Sequence, residues 1–335
     1  MKTEIFSLLT LSALVPNHAF VHVHQPQVKF ASSSSSSGTH TQLQMATVPV
    51  SADSTVGIVG RGFVSVLSAK LAAKAGYDTW MLLPPGQTQT VEDLIDDDTL
   101  GNLEMVESTD SDRVDSRLAE SDAFLIAVDD DSTMDESVLN YVLNPEVTKA
   151  KRVVAMSRNL NGKDMGFFVK ASKISANREV WDNDKSKKAA YEGFEKVIQR
   201  QTKAIGAEYT IVRAGTLKGG GCGDEPVLSQ FLSKKFYDMT KKDIITWQLL
   251  FDCSVRGVKL AKGDVLPGPG AKAVFTATGT EGGLPGDSGR CQIAEAMLQS
   301  LASEKAGNVD FGVGTEEARE PPTSEEWQKM FGDVL

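Results

Sequence analysis

The chain has 335 residues and a formal net charge of -10, with 35 Lys and Arg against 45 Asp and Glu. That length accommodates one large domain with a substantial core. The acidic balance argues against bulk nucleic-acid binding, and no apolar run approaches the roughly 20 residues that cross a bilayer.

Residues 1–50 read as a presequence. Lys2 precedes the apolar run Ile5–Val15, the length of a signal-peptide core. Ala19-Phe20 follows, then an acid-free segment with Lys29 and the serines Ser32–Ser37. This resembles the bipartite plastid presequence of diatoms and related algae, in which a Phe follows the signal cleavage point. The expectation is delivery to the plastid stroma, with a mature chain beginning between Met45 and Ser54; plain secretion or a low-complexity tail are the alternatives. All four histidines (His18, His22, His24, His40) lie in this segment. Residues 51–335 therefore hold no histidine, which excludes a Ser-His-Asp triad, a His-bound metal and His acid–base chemistry there. Cys222, Cys253 and Cys291 are widely spaced and odd in number, and read as free thiols.

The first element is a buried strand through Val56, Ile58 and Val59. A glycine turn and a helix with Val66, Leu67, Leu71 and Ala75 at three- and four-residue spacing follow it. A second apolar strand, Thr79–Leu83, comes next. Strand, glycine turn, helix and strand form the context of a dinucleotide fingerprint. Gly57, Gly60, Arg61, Gly62, Phe63 and Val64 are the candidate cofactor-binding residues. The spacing Gly60-x-Gly62-x-x-Ser65 lacks the third glycine, and a tight turn that merely needs glycine gives the same letters. The second strand ends Leu83-Pro84-Pro85-Gly86-Gln87, without the acid that would bond a ribose or the Arg that would meet a 2′-phosphate. Arg61 inside the turn tips the expectation towards NADP, with NAD as the alternative.

Glu104–Val106 is a weak strand and Asp122–Val128 a strong one. It ends in Asp129-Asp130-Asp131, which reads as a solvated loop; no metal site is expected. Val138–Leu143 suggests a short helix, Arg152–Ser157 a buried strand and Lys185–Ile205 a long helix with Tyr191, Phe194, Val197 and Ile198 along one side. Glu208–Arg213 is the next strand. Gly215–Gly223 holds five glycines and reads as a loop that closes over a ligand or lies on the surface. Pro267–Gly270 marks a turn, Ala273–Ala277 a strand and Gln292–Ala302 a helix. Thr323 and Glu326 form a capping box before Trp327. Short apolar strands alternating with helices give the fold class: an α/β doubly wound parallel sheet, with a small irregular C-terminal lobe from about residue 215.

The segment Tyr191–Glu195 through Ala207–Gly215, centred on Tyr209-Thr210-Ile211-Val212-Arg213, resembles the atypical short-chain dehydrogenase/reductase group, in its NAD(P)H-binding or NmrA-like branch. Ala214 replaces the usual proline. Val153–Ser157 resembles the strand ending in serine before that family's active site, and Gly289–Ala296 the late segment that opens a helix beside its substrate pocket. The resemblance implies a Rossmann fold binding NAD(P)H. It also implies a catalytic set of Ser157, which orients a carbonyl, and Tyr191, which passes a proton. In the family a Lys four residues after the Tyr lowers its pKa. Here that position is Glu195, whose carboxylate acts in the opposite sense, and Lys187, one turn before Tyr191, is the candidate substitute. Two functions follow from the resemblance. One is an NAD(P)H-dependent oxidoreductase acting on a small molecule; the other is a non-catalytic dinucleotide-binding redox sensor or assembly scaffold for a plastid complex.

Overall fold

The structure, a computed structural model, describes residues 50–96, 101–129, 132–159, 171, 185–221, 232–233, 235–240, 255–265 and 287–335. The Pro267–Gly270 turn, the Ala273–Ala277 strand, Asp130, Asp131, Cys222 and Cys253 lie outside the described residues.

The main sheet has eight strands in the order β3-β2-β1-β4-β5-β6-β10-β8. They are β1 (Thr55–Arg61), β2 (Asp78–Leu83), β3 (Leu103–Glu107), β4 (Ala123–Val128), β5 (Arg152–Arg158), β6 (Glu208–Ala214), β8 (Gly257–Lys262) and β10 (Val309–Glu316). All neighbours run parallel except β8, which is antiparallel to β10. The order reverses between β1 and β4, so the C-terminal ends of these two strands flank the topological switch point, where such sheets bind ligands. Two short strands, β7 (Thr216–Lys218) and β9 (Asp287–Gly289), pair in a separate two-stranded sheet.

Apolar side chains leave the sheet on both faces, as parallel strands require. On one face Ile58, Met81 and Leu125 pack with α1 (Phe63–Lys74), α2 (Thr88–Ile95), α7 (Arg290–Ala302) and α8 (Ser324–Val334). On the other, Val59, Phe124, Ile126 and Val153 pack with α3 (Ser111–Glu120), α4 (Glu136–Val142) and α5 (Lys185–Ala204). Alternation along β5 and β6 sends Val153 and Ala155, with Ile211, towards α5, so Ser157 and Arg213 share that side. The predicted stripe on α5 holds: Tyr191, Phe194 and Ile198 are buried. The capping box also forms, with the Glu326 N–H donating to Thr323 Oγ1 at 3.3 Å and the Thr323 N–H donating to Glu326 Oε2 at 2.8 Å.

Residues after 215 extend the main sheet rather than merely following it. Arg152, 1% exposed, ties that region to β5: its guanidinium donates to the carbonyls of Ser300 and Ser303 and to Glu208. Among the described residues no helix is long and apolar enough to cross a membrane.

Candidate functional site at the switch point

The glycine turn sits where the sequence places it, between β1 and α1. Gly60 has φ +155° and Gly62 φ +90°. A Cβ on Gly60 would strike the Ala127 carbonyl on β4, and one on Gly62 would strike the Asp129 carboxylate. Ser65, at the third-glycine position, is fully buried and points its hydroxyl at the Ala127 carbonyl, 3.5 Å away. It is small enough for α1 to lie close against β4. Gly57 belongs to a different environment. It stands mid-strand, where an added Cβ would lie 2.6 Å from Phe124 and 3.0 Å from the Trp80 indole nitrogen. Its lack of a side chain is demanded by two bulky neighbours, not by the turn.

The turn holds an anion, and that anion is part of the chain. Asp129, expected in a solvated loop, has a side chain only 6% exposed. Its Oδ2 accepts the N–H of Phe63 at 3.0 Å and of Val64 at 3.4 Å. These are the first residues of α1, whose N-cap, Gly62, offers no side-chain acceptor. A carboxylate there satisfies donors that the helix leaves open and meets the positive end of its dipole. In the sequence the acidic triplet has the pattern of a solvated loop, because nothing local shows that β4 delivers its next residue to the mouth of β1.

Arg290, the first residue of α7, completes the arrangement. Its Nε donates to Asp129 Oδ2 at 3.2 Å and its Nη1 to the Gly219 carbonyl at 2.9 Å. The guanidinium lies 5.7 Å from the Phe63 ring centroid and 5.9 Å from that of Phe236 on α6 (Lys235–Thr240), and the two rings meet edge to face at 4.7 Å. Buried Arg158 adds a second cation, donating to the main-chain carbonyls of Asp129 and Gly215. Arg61 is half-buried at the end of β1 and donates to Ser132 Oγ. Neither Arg158 nor Arg290 is among the residues that the sequence singles out for this site. The described part of the glycine-rich segment is not a surface loop: 216–218 form β7, and Gly219–Gly221 are buried, with Gly220 against Arg290 and Leu67 of α1.

A diphosphate would meet the Phe63 and Val64 N–H groups and the Arg290 guanidinium, a donor set of the right kind for it. The Asp129 carboxylate uses the same donors, so the two cannot share them. At the neighbouring corner, Glu107 at the end of β3 accepts the Gly86 N–H at 2.9 Å and the Thr88 hydroxyl at 3.3 Å. This places a carboxylate beside the turn that follows β2, where the sequence of β2 alone has none.

The expected catalytic residues lie one strand further on. Ser157 is 1% exposed, and its Oγ has no hydrogen-bond partner among the described residues. Tyr191 is buried on α5, and Lys187 is half-buried one turn before it. Glu195 is buried as well and binds Arg213 at two points, Nε to Oε1 at 2.9 Å and Nη2 to Oε2 at 2.8 Å. Arg213 also donates to Asp310 at 2.6 Å, and Asp264 lies 3.9 Å away. Burial works against the Arg213 charge, but Glu195, Asp310 and Asp264 outweigh it and raise its pKa. Glu195 is thus committed to an internal ion pair. Among the described residues no group of three or more His, Cys, Asp or Glu is placed to hold a metal ion.

No family model and no curated protein matches this chain. Solved structures do resemble it. A short-chain dehydrogenase/reductase (wide type) from Veillonella parvula DSM 2008, in complex with NADP, is 13% identical over 81% of this chain and 99% of that one, with a TM-score of 0.47. A UDP-N-acetylglucosamine 4-epimerase from Methanobrevibacter ruminantium M1, in complex with UDP-N-acetylmuramic acid, is 12% identical over 79% and 78%, with a TM-score of 0.44. Vestitone reductase from alfalfa (Medicago sativa L.) is 13% identical over 78% and 75%, with a TM-score of 0.43. The chain itself, by its strand order and its switch point, has a Rossmann-like α/β fold.

Proposed function

We propose that this chain is a dinucleotide-binding protein of the atypical short-chain dehydrogenase/reductase kind that responds to NAD(P)(H) without turning over a substrate, as a redox sensor or assembly scaffold. The observation that carries this reading is the Glu195–Arg213 pair. In the reductase pattern a lysine one turn after the proton-passing tyrosine lowers its pKa. The residue one turn after Tyr191 is instead a carboxylate held by Arg213. The glycine turn, the α1 N-terminus and Arg290 are the groups that would hold the pyrophosphate. The bound dinucleotide carries hydride chemistry in its nicotinamide, and this chain's residues would bind and orient it.

A second reading, an NAD(P)H-dependent oxidoreductase of a small molecule, is favoured by one observation. The Ser157 hydroxyl is buried at the end of β5, on the α5 side, without a hydrogen-bond partner among the described residues. Such a hydroxyl is free to bond a substrate carbonyl. The plastid stroma is proposed as the compartment, on the Ala19-Phe20 step and the acid-free serine segment.

The test is calorimetric titration of the purified chain with NADPH and NADH, followed by turnover assays on a carbonyl panel with the native chain and Tyr191→Phe. Binding without turnover supports the sensor reading. Turnover that Tyr191→Phe abolishes establishes the oxidoreductase instead. Failure of a folded sample to bind either nucleotide at about 1 mM overturns both readings.

A further inference from the structure

We infer that Asp129 is an internal competitor for the phosphate seat of the glycine turn, and that Arg290 is the cation that passes from it to an incoming diphosphate. The inference deepens the dinucleotide reading and rests on it for the identity of the natural ligand.

Three observations converge on the seat. Its two N–H donors are already spent on a carboxylate that belongs to the chain. That carboxylate comes from the end of β4, not from α1, so it can leave without unwinding the helix it caps. Arg290 reaches the same oxygen from a third element while its Nη1 stays on the Gly219 carbonyl and its face stays near Phe63 and Phe236. These contacts hold the guanidinium in place when the carboxylate moves, so the charge that Asp129 now neutralises becomes available to a phosphate. The seat thus has an occupied form, which needs no ligand, and a vacated form with two N–H groups and one guanidinium to offer. An anion that binds the vacated form must first pay for displacing Asp129, and its apparent affinity falls by the fraction of molecules in which the seat is open.

The test compares the native chain with Asp129→Ala and Asp129→Asn, using inorganic pyrophosphate and NADPH as separate calorimetric probes and thermal melting to confirm folding. Asp129→Asn keeps the size and one acceptor oxygen but loses the charge, so the comparison survives if the alanine variant does not fold. The expected result is pyrophosphate binding at least about tenfold tighter in the variants than in the native chain. Arg290→Gln in the Asp129→Asn background should remove most of that gain. Pyrophosphate affinity unchanged or weakened in the folded variants overturns the inference. A gain for pyrophosphate with no NADPH binding in any form upholds the competitor and removes the dinucleotide reading. Tight NADPH binding by the native chain, not improved by either variant, does the reverse.

Discussion

Glu195 and Arg213 are eighteen residues apart in sequence and meet through two parallel hydrogen bonds, 2.9 and 2.8 Å long, between α5 and β6. A bidentate carboxylate–guanidinium pair is the strongest geometry available to these side chains. Both are largely shielded from water, with 14% of the Arg213 side chain and 8% of Glu195 exposed. Glu195→Gln removes one charge and leaves Arg213 leaning on Asp310 and Asp264; the expected loss is about 2 to 3 kcal/mol of stability, read by denaturant melts. Glu195→Lys, which places a lysine one turn after Tyr191, should fare worse because it sets two cations against each other, and it should yield no carbonyl reduction. By contrast Arg200→Ala, which removes an exposed pair with Glu136, should cost less than about 0.5 kcal/mol. Equal effects at the two sites would show that the Glu195 pair is not a structural tie.

The second prediction concerns pH. Burial pushes the Glu295 carboxyl on α7 up to about 7, against the lowering effects of Arg256 and of Cys291, whose thiol lies 3.8 Å from it. An acid whose folded pKa exceeds its unfolded one stabilises the fold in its protonated form. That contribution is complete below the unfolded value and is lost as pH rises through about 7. The melting temperature should therefore fall between pH 5.5 and pH 8, by the equivalent of roughly 2 kcal/mol, and Glu295→Gln should flatten the slope. In the acid direction the sign reverses. A hydrogen bond from Arg117 holds Asp78 below its usual range, so its contribution is present above the unfolded value and disappears as pH falls through the lowered one. A profile that rises steadily to pH 8 would contradict the Glu295 assignment.

Glycine replacements should separate packing from backbone freedom. Gly62→Ala combines a φ of +90° with a collision against Asp129 and should lose roughly 3 kcal/mol. Gly76→Ala has a similar φ of +95° but faces open space, so only the conformational cost of about 1 kcal/mol applies. Similar melting temperatures for the two variants would mean that Asp129 is not seated against the turn.

Glu107 sets the fourth test. Its carboxylate beside Gly86 and Thr88 repels a 2′-phosphate placed at that corner. Glu107→Gln should shift the ratio of NADPH to NADH affinity towards NADPH by about fivefold, the scale of one partly screened charge contact. The ratio, measured by paired titrations, is informative whichever nucleotide the native chain prefers.

The parts of the molecule that sequence alone reveals share a property: their signal is local. The α5 stripe, the strands through Val56, Phe124 and Val153, and the Thr323–Glu326 capping box each declare themselves within one or two turns of chain. β10 did not. Its alternating Val309, Phe311, Val313 and Thr315 are interrupted by Gly312 and Gly314, which weaken the strand signal. Those glycines are required by a distant segment: a Cβ on Gly312 would lie 2.5 Å from the Val265 nitrogen, and one on Gly314 would lie 2.6 Å from its Cγ1. The short helices α2 and α3 carry little local signal either, although Asp110 caps α3 through the Arg113 N–H at 3.2 Å. At the site, the glycine turn was legible and its occupant was not. Asp129 acquires its role only because β1 and β4 are register neighbours, Arg61 beside Val128, across more than sixty residues of intervening chain.

The position of β10 also governs when this protein can exist in its final form. It inserts between β6 and β8, pairing Val309 with Thr210 and Phe311 with Lys262, although it follows both in the sequence. Until it arrives, β6 keeps an unpaired edge, the kind of surface that recruits other chains. During synthesis, when segments emerge in order from the N-terminus, the sheet stays incomplete until Val309–Glu316 has emerged. Nonsense mutations or proteolytic nicks upstream of Val309 should thus yield aggregating fragments and not a shortened working domain.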